Sequence, residues 1–71
     1  MDRTMLLQHL ALAERHISEG AEHLAKQQEL IDRLASHKHD TKDAMAVLTT
    51  MRKTQANHLQ DRDRILKELE Q

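Results

Sequence analysis

Six histidines occur among the 71 residues, and of all the side chains in this sequence they are the best suited to chemistry. His9, His16 and His23 are spaced by seven residues, so on a helix they line one edge. Imidazole and carboxylate together are a ligand set that suits zinc, and no other cofactor fits the residues present. The sequence therefore offers a candidate metal site that combines residues of both halves of the chain: His16, Glu19, His23 and His58.

A structural role is the alternative interpretation of these polar residues, and it is the one we favour. Neither a Glu-x-x-His pair nor His-Glu-x-x-His, the helical zinc-protease pattern, occurs in the sequence. A polar residue at a core position sets the alignment and number of helices at a cost in stability. Folding the chain near residue 38 predicts a central polar layer of His16, Glu19, Gly20, His23, Gln55, His58 and Arg62.

Two further roles stay open for the histidines. The segment His37-Lys38-His39-Asp40 has the donors to chelate a metal locally, although a solvated loop is the simpler interpretation. A flank of His9, His16, His23 and His58 would also repel itself on protonation near pH 6, which predicts dissociation of an assembly on acidification.

The elements that position these residues are predicted to be two long helices in an all-α, antiparallel, coiled-coil-like hairpin. Proline is absent and the only glycine is Gly20, so strong helix breakers are nearly missing. Helix 1 is expected at about 4–36, capped by Asp2 or Thr4, and helix 2 at about 41–70. The loop at about 37–40 ends at Asp40, the expected N-cap of helix 2. One domain is expected to cover residues 1–71.

The apolar arc of helix 1 is too broad for a single partner helix. At about 100° per residue, its main stripe contains Leu6, Leu10, Ala13, Ile17, Ala21, Leu24, Ile31 and Ala35. Leu12 and Leu30 extend the arc on the flank that also carries the histidines. One packed neighbour covers a stripe of only about 100°. We therefore expect a homo-oligomer, most simply a dimer of hairpins forming a four-helix bundle, with a partner protein as the alternative occupant.

Both apolar and polar residues are expected to lie at the helix interfaces or to fix the register of one helix against the other. Gly20 would allow a neighbouring helix or a large side chain to approach closely. A glycine in a helix interior lowers stability by about 1 kcal/mol relative to alanine. Arg62 is expected to pair with Glu14 or with a carboxylate of another chain, because a buried charge must be matched. The full set is Leu12, Ile17, Gly20, Leu30, Gln55, His58 and Arg62.

Composition excludes several classes of function. The formal net charge is −1, from 11 basic and 12 acidic residues, and there is no aromatic residue. Nucleic acid and anionic membranes are therefore not expected as partners. The apolar runs are too short for a transmembrane span, so a cytoplasmic location is expected by default. No recognisable set of acid, base and nucleophile is present. We predict a non-enzymatic interaction or assembly module, with a small metal-binding or pH-responsive protein as the alternative.

The chain resembles short, uncharacterised bacterial proteins, mostly proteobacterial, over nearly its whole length. The resemblance implies a helical hairpin and a bacterial source, and it implies no activity. It rests on short motifs: Glu14-Arg15-His16-Ile17, Glu19-Gly20, His23-Leu24, His39-Asp40-Thr41, His58-Leu59 and Asp61-Arg62-Asp63-Arg64.

Overall fold

Two helices and a short connection make up the structure, a computed structural model that describes residues 2–71; Met1 lies outside the described residues. α1 spans Arg3–Ser36 and α2 spans Lys42–Leu69, and no strand occurs between residues 2 and 71. The helices lie antiparallel, since Arg3 Nη1 at the start of α1 donates to the carbonyl oxygen of Leu69 at 3.3 Å. The predicted all-α hairpin is confirmed.

The ends of α1 are fixed by local hydrogen bonds. The Asp2 carboxylate accepts a hydrogen bond from the Met5 backbone N–H at 2.9 Å, so Asp2 rather than Thr4 is the N-cap. At the other end, the Ser36 hydroxyl donates to the Arg33 carbonyl oxygen at 2.9 Å. Lys38 then adopts a positive φ of 61°, a left-handed conformation that residues other than glycine and asparagine rarely adopt. This residue turns the chain towards α2.

The start of α2 differs by one residue from the expectation. Thr41 is the N-cap residue, and its side chain makes no capping hydrogen bond. The Asp40 carboxylate instead accepts from the Lys42 backbone N–H at 3.0 Å. Asp40 therefore accepts a hydrogen bond from an amide of the first turn, as predicted, but it lies one residue before the N-cap. Asp43 places a second carboxylate in that turn, where negative charge is favourable.

The seam between the helices follows alternating steps of three and four residues. The buried side chains are Leu6, Ala13 and Ile31 of α1 with Leu48 and Ile65 of α2. Leu10 and Leu69 pack on the cluster of Leu6, Ala13 and Ile65. These spacings are those of a coiled coil, in which successive core positions are 3.5 residues apart on average.

Two members of the predicted stripe of α1 are exposed. Ala21 and Ala35 face solvent, whereas Gly20, Gln27 and Leu34 are partly buried. The wheel at 100° per residue drifts by about 20° per heptad from a repeat of 3.5 residues per turn, so its error grows along a helix of this length. The predicted stripe was therefore wrong by one residue at these positions.

The hairpin is a thin rod, with extents of 53 × 14 × 13 Å between Cα atoms. Within residues 2–71, neither helix combines the length and the apolar character that crossing a bilayer requires. Every residue of such a rod lies near the surface, so the molecule has long side faces and little interior.

Candidate functional site

A groove of about 410 Å³ lies between the two helices near the middle of the rod. We call it the histidine groove. Its walls contain six of the seven residues of the predicted polar layer, and small or apolar residues of α2 complete them. The lining residues are His16, Glu19, Gly20, His23, Ala46, Val47, Thr50, Met51, Thr54, Gln55 and His58.

Gln55 joins the two helices at the floor of this groove. Its Nε2 donates to the Ile17 carbonyl oxygen at 2.8 Å. The side-chain amide lies directly against Gly20, where an added Cβ would overlap Gln55 Oε1 and stand 2.9 Å from its Cδ. Gln55 Oε1 is buried and has no hydrogen-bond partner among residues 2–71. Gly20 thus admits the amide of Gln55, and no residue with a Cβ fits without moving that amide.

His16 and His58 meet beside this contact. Their ring centroids are 4.9 Å apart and the ring planes are inclined by 46°. Both side chains are half-buried, and they come from different helices. His16 and His58 are thus two of the four predicted metal ligands, and the fold brings their rings into contact.

The other two predicted metal ligands line the same groove but stand apart from the pair. The Glu19 carboxylate accepts from Arg15 Nε at 3.2 Å in an exposed ion pair. His23 is exposed to solvent. Across residues 2–71, no three histidine or carboxylate side chains are close enough together to hold a metal ion. The structure thus gathers the four predicted ligands along one groove and brings only His16 and His58 into contact.

The histidine flank continues beyond the central groove in both directions. Towards the helix ends distant from the loop, His9 and Leu12 line a smaller groove that also includes Asp61 and Arg64. Towards the loop, Leu30 lines a third groove with His37 and His39. Leu12 is 50% exposed and Leu30 is 37% exposed. The predicted interface leucines therefore lie on the same side of the hairpin as the histidines.

Arg62 does not make the predicted ion pair with Glu14. Its guanidinium donates to the carboxylate of Asp63, the next residue, from Nε at 3.1 Å and Nη2 at 3.0 Å. The Arg62 side chain is 36% exposed, so its head reaches solvent while its stem lies at the seam. Because the charge is not buried, no carboxylate of α1 is required to match it.

The loop histidines are partly committed to local contacts. His37 Nδ1 lies 2.8 Å from the Arg33 carbonyl oxygen, and the His37 and His39 rings are 6.4 Å apart. The Asp40 carboxylate holds the Lys42 amide, as described above. Of the three donors proposed for local chelation, His37 and Asp40 each contact a backbone group, and the ring of His39 is separated from that of His37.

Two features of the site were missed at the sequence level. Gln27 Nε2 donates to the Ala44 carbonyl oxygen at 2.8 Å, a second bond between a glutamine of one helix and the backbone of the other. The α2 wall of Val47, Thr50 and Thr54 was also not predicted. Gln27 lies on the steps of three and four residues, so a strict heptad count would have found it, whereas Val47, Thr50 and Thr54 are exposed residues that each precede a seam position.

No protein-family model, curated protein or solved structure matches this chain. The resemblance to short bacterial proteins therefore stays a prediction.

Proposed function

We propose that this hairpin is a non-enzymatic assembly module that pairs with a second copy of itself to form a four-helix bundle. The observation that supports this proposal is that more large apolar side chains are exposed than are buried. Among residues 2–71, only five apolar side chains are buried, one of them an alanine, whereas seven large apolar side chains are between 37% and 52% exposed. Apolar side chains that are exposed together on one side are typical of an interaction surface, and Leu12, Leu30 and Val47 lie on one side.

The hairpin alone has few other sources of stability. Chains of this size rarely obtain more than about 3–5 kcal/mol from a single core and usually add disulfides, metals or further subunits. The sequence contains no cysteine. Every ion pair among residues 2–71 is on the surface, and exposed pairs contribute at most about 1 kcal/mol each. Association is the remaining means of burying apolar surface.

The side that carries the histidine groove is the one we assign to the second copy. Leu12, Leu30 and Val47 all line grooves on that side, at three levels along the rod. With extents of 53 and 14 Å, a side presents roughly 700 Å², close to the ~800 Å² per partner of a stable interface. A second copy matches this length along its whole extent, and two-fold pairing closes the assembly.

The mass in solution tests self-association directly. Light scattering on a sizing column, over a range of concentrations, is expected to give twice the chain mass of 8.3 kDa. A monomer at every concentration would contradict the proposal and indicate an external partner instead, such as a helix of another protein lying in the groove.

Two matched double variants test which side is used. Leu12→Glu with Leu30→Glu introduces two charges on the groove side and is expected to give a folded monomer. Leu7→Glu with Leu66→Glu introduces the same charges at exposed leucines that helical periodicity places on the opposite side, and is expected to remain dimeric. The reverse result would retain self-association and refute the assignment of the groove side.

A further inference from the structure

We propose that His16 and His58 form a two-histidine site for a divalent transition-metal ion such as Zn²⁺, and that the ion links α1 to α2. This proposal does not depend on self-association, because both ligands belong to one chain. It narrows the four-residue set expected from the sequence to the two rings that the fold brings into contact.

The separation of the rings fits two imidazoles on one ion. A metal–nitrogen bond of about 2.0–2.1 Å places each ring centroid about 3.2 Å from the ion. Two such centroids are about 5.2 Å apart at a tetrahedral angle and about 4.5 Å apart at a right angle. The observed separation of His16 and His58 is 4.9 Å, between these two values. The centroid separation therefore requires no shift of either helix, and rotation of the two side chains would aim a nitrogen of each ring at the shared ion.

The surroundings of the pair also suit a metal. Both rings are half-buried at the edge of a groove that is open in the single hairpin, so an ion can reach them from solvent before two copies pair. His37 is held by the Arg33 carbonyl oxygen, whereas no hydrogen bond engages the rings of His16 and His58 within the described residues. Free ring nitrogens are what a metal requires, since it binds the unprotonated nitrogen of neutral imidazole.

Two protein ligands leave further coordination positions, which water can fill. Glu19 and His23 line the same groove. Glu19 is held only by an exposed ion pair, and such pairs contribute little. The proposal assigns the primary contacts to the two rings, and the experiment measures separately whether His23 adds to them.

Because the site exists only when the helices are packed, binding is expected to stabilise the hairpin. A ligand at about ten times its dissociation constant is expected to raise the Tm of a chain of this size by roughly 6–11 °C. Thermal unfolding is followed by circular dichroism at one fixed protein concentration, with Zn²⁺ added and then removed by a chelator. Each variant is compared with its own metal-free sample, so a less stable variant remains informative.

His16→Ala and His58→Ala are each expected to abolish the Zn²⁺-dependent rise in Tm. His9→Ala is the matched control, since His9 lies seven residues earlier on the same flank, and it is expected to keep the full rise. His23→Ala is expected to keep most of it. The Cu²⁺-loaded wild-type chain provides a second measurement that needs no substitution, because its electron paramagnetic resonance spectrum should show two imidazole nitrogens.

Four results would overturn the proposal. The first two are no rise in the Tm of the wild-type chain up to millimolar Zn²⁺, and a full rise in His16→Ala and His58→Ala. Loss of the rise in a variant with both His37→Ala and His39→Ala would place the ion at the loop. A rise in Tm that occurs only together with a Zn²⁺-dependent increase of mass, measured by light scattering, would show that the ion links two copies and would overturn its assignment to one chain.

Discussion

Replacing Gly20 by alanine should reveal how closely α1 and α2 are matched. In an ordinary helix interior this substitution stabilises by about 1 kcal/mol, because alanine has the higher helix propensity. Here the new Cβ would overlap Gln55 Oε1 and stand 2.9 Å from Gln55 Cδ. The amide must rotate away and lose its 2.8 Å hydrogen bond to the Ile17 carbonyl oxygen. That loss costs about 1 kcal/mol, which cancels the gain in propensity.

We therefore expect Gly20→Ala to leave the free energy of unfolding unchanged or to lower it. The amide is the far end of a flexible side chain, so a large additional strain is not expected. In a Gln55→Ala background nothing opposes the new methyl group, and the same substitution should stabilise by about 1 kcal/mol. The coupling energy between the two positions is thus expected to be about 1 kcal/mol or more.

Chemical denaturation of the wild type, both single variants and the double variant measures this coupling. All four are compared at one protein concentration, since association would shift the apparent stability. Equal gains of about 1 kcal/mol from Gly20→Ala in both backgrounds would refute the reasoning, because the methyl group would then be accommodated without disturbing Gln55.

Three other substitutions test the caps and the core, each measured as a change in the free energy of unfolding. Asp2→Ala removes the side-chain acceptor of the Met5 amide and should destabilise by about 1 kcal/mol; no loss would mean that water replaces the cap. Lys38→Gly should stabilise by up to about 1 kcal/mol because φ is 61°, whereas a loss would contradict a left-handed conformation at this residue. Leu48→Ala should cost about 2–5 kcal/mol, and Leu7→Ala, at a leucine that is 47% exposed and lies away from the groove side, provides the control: comparable losses at both would refute the assignment of Leu48 to the core.

The helices could be predicted from the sequence because the signals are local. The absence of proline, the capping aspartates and the polar segment before Thr41 each act within a few residues, and they indicate where the helices begin and end. The pairing of Gly20 with Gln55 depends on how α2 lies along α1. Approximate folding about the loop placed both residues in one layer, but the side-chain contact itself required the coordinates.

Ion pairs were predicted less well, because surface charges have many partners of similar energy. Arg62 was expected to reach across to Glu14, yet its adjacent residue Asp63 provides a carboxylate with no change of helix. Exposed pairs differ by fractions of a kcal/mol, so proximity along the chain decides among them. Heptad counting says which residues face the seam, but it does not choose between such partners.

The contact between Gly20 and Gln55 also explains why the helices adopt this register. Apolar steps repeat every seven residues, so on apolar packing alone α2 could slide by one heptad along α1. Such a slide would set Gln55 against Ala13 or Gln27, where a Cβ occupies the space that Gly20 leaves open. It would also separate His16 from His58 by about 10 Å along the axis, at 1.5 Å per residue. The contact at Gly20 thus favours the register that the short connection of residues 37–41 allows, and this register brings the two histidine rings together.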